Sequence, residues 1–163
     1  MSNEFAFKVL LTNIAQDQVH GTTLKGQDGI KILARAKESP FFIHPVFRDD
    51  GYFILVSQYQ PNHHFLLTYL DDYKQDPARA APLLTVSVFS DYADDPDFDL
   101  TMVRTDVMAR TIDDDEALFL VSNMMDAYRH DNEYTQYLHT FNHAPDRFNF
   151  DDFLSRQTLL WKN

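Results

Sequence analysis

FFIHPVFRDDGYFILVSQYQPNHHFLLTYL, residues 41–70, decides the fold. Three short stretches, 41–47, 52–59 and 64–70, are rich in aromatic and β-branched residues, which suit a pleated, half-buried surface. Between them stand turn signals. Asp49-Asp50-Gly51 fits a tight hairpin, because aspartate and glycine tolerate positive φ, and Gln60-Pro61-Asn62 fits a second turn. The stretch therefore predicts three antiparallel strands in a meander. Downstream, Leu84, Val86 and Val88 alternate with Thr85 and Ser87, a fourth strand with one dry face. Residues 99–107 predict a fifth, and the alternation over 134–141 a possible sixth.

Helices flank this sheet. Residues 114–129 carry the clearest signal: Asp113 can cap the start, Glu116 stands three residues on as a capping box requires, and Ala117, Leu118, Val121, Met124, Met125 and Tyr128 form a broad apolar stripe. Residues 28–38 read as a helix with Ile30, Leu33, Ala34 and Lys37 on one face, Asp28 as cap and Pro40 beyond its end. Residues 3–20 alternate at Phe5, Phe7, Val9 and Leu11, yet the helical spacing of Phe7, Leu10, Leu11 and Ile14 is favoured. A short helix is expected over 147–156, followed by an apolar tail with Leu159, Leu160 and Trp161. Strands in the middle with helices at the ends predict an α+β domain: a mainly antiparallel sheet of five or six strands with helices packed on it. At 163 residues the chain is one domain. It divides into an N-terminal segment 1–27, a core 28–156 and a tail 157–163.

Composition excludes several function classes. There is no cysteine, so disulfides, thiol catalysis and cysteine-held zinc or iron–sulfur sites are out. The formal net charge is -11, which repels phosphate backbones and argues against nucleic-acid binding. Nearly all of that excess sits in residues 91–133, with 13 acidic and 3 basic side chains. No apolar run is long enough for a membrane span, and Met1 to His20 lacks the pattern of a secretory or mitochondrial leader. A cytoplasmic, complete chain is expected. Its four glycines, Gly21, Gly26, Gly29 and Gly51, form neither a Walker loop nor a dinucleotide fingerprint.

Possible sites of chemistry are few. Asp95, Asp97, Asp99 and Asp106 match positions 1, 3, 5 and 12 of a calcium loop, but position 6, where the turn needs glycine, is Leu100. His139 and His143 are four apart, a metal-binding spacing on a helix. Their segment reads as strand and then loop, without a third ligand at a natural spacing. His63 and His64, in a hairpin, should point to opposite faces. The acidic run 111–116 is accounted for by the helix start, and no serine lies in a nucleophile elbow. An enzyme would need Asp97, Asp99, His139 and His143 to converge in one pocket. No catalytic residue, metal or cofactor is assigned. The 14 Phe, 8 Tyr and 1 Trp are many for this length; the sheet core should absorb most of them, and any surplus left outside would make a protein-binding patch.

The order of segments resembles a known family, the assembly factors of the ATP synthase F(1) sector that chaperone the free beta subunit in mitochondria. Four stretches carry the likeness: ARAKESPFFIHPVFR (Ala34 to Arg48); GYFILVSQY (Gly51 to Tyr59) followed by HHFLLTYL; the strand Leu100 to Val107 followed by the helix around Glu116 to Tyr128; and YLHTFNHAPDRF (Tyr137 to Phe148). The last is similar to the family's Thr-Phe-Asn-x-Arg-Pro run followed by phenylalanine, with Ala144 in place of the arginine. The resemblance implies a non-enzymatic protein that shields an assembly surface, with the ATP synthase beta subunit as partner. It points to Asn142, His143, Pro145 and Phe148, with Phe41, Phe42 and Tyr59, as the partner-binding surface. The competing reading is an interaction module whose acidic face, Asp91 to Glu133, meets a basic partner.

Overall fold

The computed structural model describes residues 19–162. The elements in chain order are β1 (Val19–Lys25), α1 (Gly26–Glu38), β2 (Phe41–Arg48), β3 (Gly51–Gln60), β4 (His64–Tyr69), α2 (Leu70–Gln75), β5 (Pro82–Tyr92), β6 (Leu100–Val107), α3 (Asp114–Arg129) and α4 (Asp131–Glu133). A π-helical turn (Tyr134–His139), α5 (Thr140–His143), a 3-10 turn (Pro145–Arg147) and α6 (Phe150–Lys162) complete the chain. The fold is α+β. The six strands form one sheet in the order β1-β6-β5-β4-β3-β2, and every neighbouring pair is antiparallel. β2 to β6 are a continuous meander, so the turn signals around residues 41–70 give the right register. Arg48 pairs with Gly51 across a two-residue turn, and Gly51 has φ +148°, which favours glycine.

The sixth strand is β1, not residues 134–141. Tyr134, Tyr137 and Leu138 are buried, and with Phe141 they fall at i, i+3, i+4 and i+7, the helical period. The aromatic and β-branched residue types of 134–141 suit a strand, but their spacing does not. β1 (VHGTTLK) has few apolar side chains, and pairing with β6 rather than a hydrophobic pattern holds it. The helix expected over residues 3–20 falls mostly outside the described residues; Val19 and His20 belong to β1.

The core lies between one face of the sheet and α1, α3 and α6. Phe42 and Val46 of β2, Leu55 of β3, Phe65 and Leu67 of β4, Val86 and Val88 of β5 and Val103 of β6 face it, all buried. Each such side chain contributes roughly 1.5–3 kcal/mol by leaving water. α3 starts with the expected capping box: Asp113 accepts from the Glu116 N–H at 2.8 Å, and Glu116 accepts from the Asp113 N–H at 3.1 Å. Arg48 clamps both Glu116 oxygens, each at 3.0 Å, so the β2–β3 turn is tied to the same helix start. The stripe on α3 is as expected except that Leu120 is buried and Leu118 is exposed.

α1 departs from its expected face. Its buried residues are Gly26, Gly29, Ile32 and Ala36, not Ile30, Leu33, Ala34 and Lys37. The apolar spacing weighed large side chains, whereas the contact is made by small ones. A Cβ at Gly29 would overlap the Thr101 side chain, and one at Gly26 would overlap the Ala93 carbonyl. Nor does Asp28 cap this helix. The Gly26 N–H donates instead to Asp99, to its backbone oxygen at 3.1 Å and its carboxylate at 3.2 Å. α6 also runs further than expected: Phe150–Lys162 crosses the proposed tail boundary at 157, and Trp161 stacks on Phe119 with ring centroids 4.5 Å apart.

Gly29→Ala should lower unfolding stability by about 1–3 kcal/mol through overpacking against Thr101; urea denaturation measures it. A second expectation concerns His44, buried on β2 with Nε2 2.8 Å from the Ser57 hydroxyl. Burial lowers its pKa from 6.5 to about 3. Above pH 6.5 the imidazole is neutral in both states; below it, the unfolded chain takes up a proton that the folded chain refuses. Stability from this group is full above the unfolded value and falls by up to about 1.4 kcal/mol per pH unit toward the folded one. Denaturation midpoints at pH 7 and pH 5 should therefore diverge more in the wild type than in His44→Gln.

Candidate protein-binding site

The segment after α3 turns back over the end of the sheet and meets the open edge of β2. The register explains how. The Tyr59 N–H donates to the Pro40 carbonyl at 2.8 Å, and β2 pairs Phe41 with Gln58 and Phe42 with Ser57. Antiparallel alternation then turns the backbone groups of Phe41, Ile43, Pro45 and Phe47 toward the open edge. Asn142 fills the first of these positions. Its Oδ1 accepts from the Phe41 N–H at 3.0 Å, and its Nδ2 donates to the Phe41 carbonyl at 2.6 Å and to the Leu138 carbonyl at 2.8 Å. One side chain amide thus stands in for a neighbouring strand, and Asn142 is a clamp.

Beside the clamp is an apolar groove of about 380 Å³. Phe41, Ile43 and Val56 on the sheet face away from the main core, Leu70 and Tyr73 come from α2, and Phe141 from α5. Asn142 and Lys74 add its polar edge. The other two expected turn residues lie close by. Phe148 is half-buried, its ring 5.3 Å from Phe141 and 5.4 Å from Phe153. Pro145 is exposed and opens the 3-10 turn. Phe42, in contrast, is 2% exposed and packs on Phe141 and Phe153, so it supports the turn from inside and presents nothing outward. Tyr59 packs on Phe65 at 5.1 Å and donates its hydroxyl to the Asn62 carbonyl at 2.6 Å, on the core side of β3. The expected surface therefore divides: Phe41 and Asn142 share the groove, Phe148 buttresses it, and Phe42 and Tyr59 belong to the packing.

His143 points the other way, toward the end of α1. Its Nε2 lies 3.0 Å from the Glu38 carbonyl and 3.2 Å from the Ser39 hydroxyl. Ser39 is fully buried. Its hydroxyl bonds Tyr134 at 3.0 Å, and its carbonyl accepts from the Tyr128 hydroxyl at 2.9 Å. The Tyr134 hydroxyl also donates to Glu38 at 3.2 Å. Burial raises the Tyr128 and Tyr134 pKa values, so both stay neutral donors. Because 134–143 is helical rather than strand and loop, the His139 and His143 rings lie against each other with centroids 4.4 Å apart. Glu38 supplies the third group, 105 residues upstream of His143; only the packing of α1 on the sheet reveals it.

The remaining sequence candidates separate. Asp99 holds the start of α1 while His139 and His143 sit at its end, roughly 18 Å away at 1.5 Å per residue, so the carboxylate and histidine suspects do not converge. Asp106 lies on β6, its two oxygens engaged by Arg104 at 2.9 and 3.0 Å, and no calcium loop forms around it. His63 and His64 stack at 4.1 Å instead of diverging, because His63 is in the turn before β4 and strand alternation does not reach it. Among the described residues the exposed large apolar side chains, Tyr52, Met108, Leu118 and Leu159, include one aromatic. Among the described residues the aromatic side chains are spent mainly on ring-to-ring packing rather than on a protruding patch.

The acidic region is mostly turned to internal use. Asp94 accepts from Gln27 and Asp95 from its own loop; Asp126 pairs with Arg129, Asp131 with Arg35, and Glu133 with Arg156. No helix among the described residues is long and apolar enough to cross a membrane.

No curated protein matches the chain. A family model described as ATP11 protein matches residues 12–154, a span that holds β1 to β6, α3, the Asn142 clamp and the groove. That match covers most of the 163 residues, and the chain belongs to the ATP11 protein family, the assembly factors of the F1 ATP synthase.

Proposed function

We propose that this protein is a non-enzymatic chaperone of ATP synthase assembly that works in the cytoplasm and holds the free beta subunit through the groove at Phe41, Ile43, Val56, Leu70, Tyr73 and Phe141. The observation that carries the reading is that groove. It is apolar, open, and framed by two of the stretches that carry the family likeness, Phe41 on one side and Phe141-Asn142 on the other. An apolar concavity with a polar edge suits an apolar segment of a partner, and half-buried aromatics make its strongest contacts. The occupant fitting the family is a segment of an F1 subunit that is covered in the finished complex and bare before assembly. The beta subunit is the specific partner on the strength of the resemblance. The acidic face is the weaker alternative, because most of its carboxylates already have partners within the chain.

Co-elution with the isolated beta subunit on size exclusion tests this. A complex that persists at high salt and excludes the alpha subunit is expected, since apolar contacts are not screened. Tyr73→Asp places a charge in the groove without touching the core and should weaken the complex by roughly 30-fold, the range of a lost hot spot. No complex at any salt would refute the chaperone assignment, and a complex lost only at high salt would transfer the role to the acidic face.

Asn142→Ala should behave differently. It leaves the Phe41 N–H and carbonyl without partners, at a cost of about 1–3 kcal/mol. Thermal unfolding should fall in Asn142→Ala and stay unchanged in Tyr73→Asp. Equal destabilisation by both would mean that α2 is a structural cover rather than a wall of a binding site.

A further inference from the structure

We infer that Glu38, His139 and His143 form a binding site for a divalent transition metal ion of the zinc class. Their ligand atoms all lie within 4.8 Å of one another, close enough for small side-chain rotations to bring three donors onto one ion. Nε2 of His139 is 3.7 Å from a Glu38 oxygen, too far for a hydrogen bond and well placed for an ion between them. The two imidazoles are four residues apart on a continuous helical backbone that runs from the π turn into α5, which sets them on one face.

The surroundings orient the donors as metal ligands are oriented. A carbonyl can only accept, so the contact of His143 Nε2 with the Glu38 carbonyl at 3.0 Å places a proton on Nε2, and Nδ1 is the nitrogen that a metal ion would take. A ligating histidine typically gives its other ring N–H to a backbone carbonyl in this way. The buried Tyr134 hydroxyl donates to the second Glu38 oxygen at 3.2 Å, which steadies the carboxylate. The site sits at the C-terminal end of α1, where the helix dipole favours a cation. The Arg35 guanidinium lies over the Tyr134 ring at 4.5 Å and is committed to the Tyr128 and Arg129 carbonyls and to Asp131, so it does not fill the place.

Two imidazole nitrogens and one carboxylate oxygen suit zinc, cobalt, nickel or copper rather than calcium or magnesium, which prefer an all-oxygen shell. Three protein ligands leave one position for solvent. Bound metal would fasten the end of α1 to α5, one residue from the Asn142 clamp.

The test is isothermal titration of the untagged full chain with Zn²⁺, beside thermal melts with and without the ion. One saturable equivalent, unaffected by excess Mg²⁺ or Ca²⁺, is expected, with a higher melting temperature in zinc. His139→Ala and Glu38→Gln should each weaken binding by at least roughly 10-fold while the metal-free melt shows a folded protein. Where His139→Ala fails to fold, Glu38→Gln, which can keep the Tyr134 hydrogen bond, decides. Absence of saturable binding, or binding that survives these substitutions unchanged, as it would at the His63-His64 pair, overturns the assignment.

Discussion

α1 can lie against β5 and β6 only because Gly26 and Gly29 place no Cβ at the contact. That close seating has consequences at both ends of the helix. At the start, the Gly26 N–H reaches Asp99, which has φ +42°, and the acidic loop before β6 becomes a cap for a helix distant in sequence. At the finish, Ser39 is driven into the interior and must find partners there. Tyr128 and Tyr134 supply them, and a buried hydroxyl and carbonyl that would otherwise cost free energy are satisfied. Arg35 completes the joint by bonding the last carbonyls of α3 and the Asp131 carboxylate. A helix C-terminus leaves such carbonyls unpaired, so the arginine serves α3 as a cap supplied by α1.

The position of the candidate site follows from this joint. Tyr134 and Tyr137 are anchored under the turn, the backbone widens into a π turn over Tyr134–His139, and α5 emerges beside the free edge of β2. Asn142 then meets Phe41, and the Phe148–Phe141–Phe42–Phe153 ring contacts, each between 5.3 and 5.8 Å, fix the turn from behind. Four residues that read as a possible binding surface thus have graded roles. Asn142 pins backbone, Phe148 and Phe42 pack, and Phe41 alone is both pinned and half-exposed in the groove.

The meander was legible because its information is local. Tight turns such as Asp49-Asp50-Gly51 and aromatic or β-branched runs fix strands without knowledge of the rest, and the Asp113–Glu116 box fixes a helix start within four residues. Three features were not legible, for different reasons. β1 has little hydrophobic pattern and depends on β6. The segment 134–143 carries a helical period, but its tyrosines, threonines and phenylalanine are residue types that suit a strand. The face of α1 is chosen by glycine and alanine, which hydrophobic patterning scarcely registers. The site suffered most from the last two, since both the groove wall at Phe141 and the cluster at Glu38, His139 and His143 need α1 and α5 in place before they exist.

The edge of β2 also limits how a partner can be held. An open strand edge invites a further strand, because its N–H and carbonyl groups are unpaired. Here Asn142 occupies the groups of Phe41, and Pro45 turns its ring nitrogen, which has no hydrogen, to the same side. Of the outward-facing positions on β2, Ile43 and Phe47 are the ones whose N–H no other described residue takes. A peptide adding as a strand would lose the regular ladder that gives such binding its affinity. The side chains of the same residues, by contrast, are kept in fixed register by the clamp, so the groove is organised before any partner arrives and less ordering entropy is lost on binding. On the proposed function, recognition at this edge would be a matter of side chains in a preformed concavity and not of backbone pairing, as holding an apolar surface without recruiting it into the sheet requires.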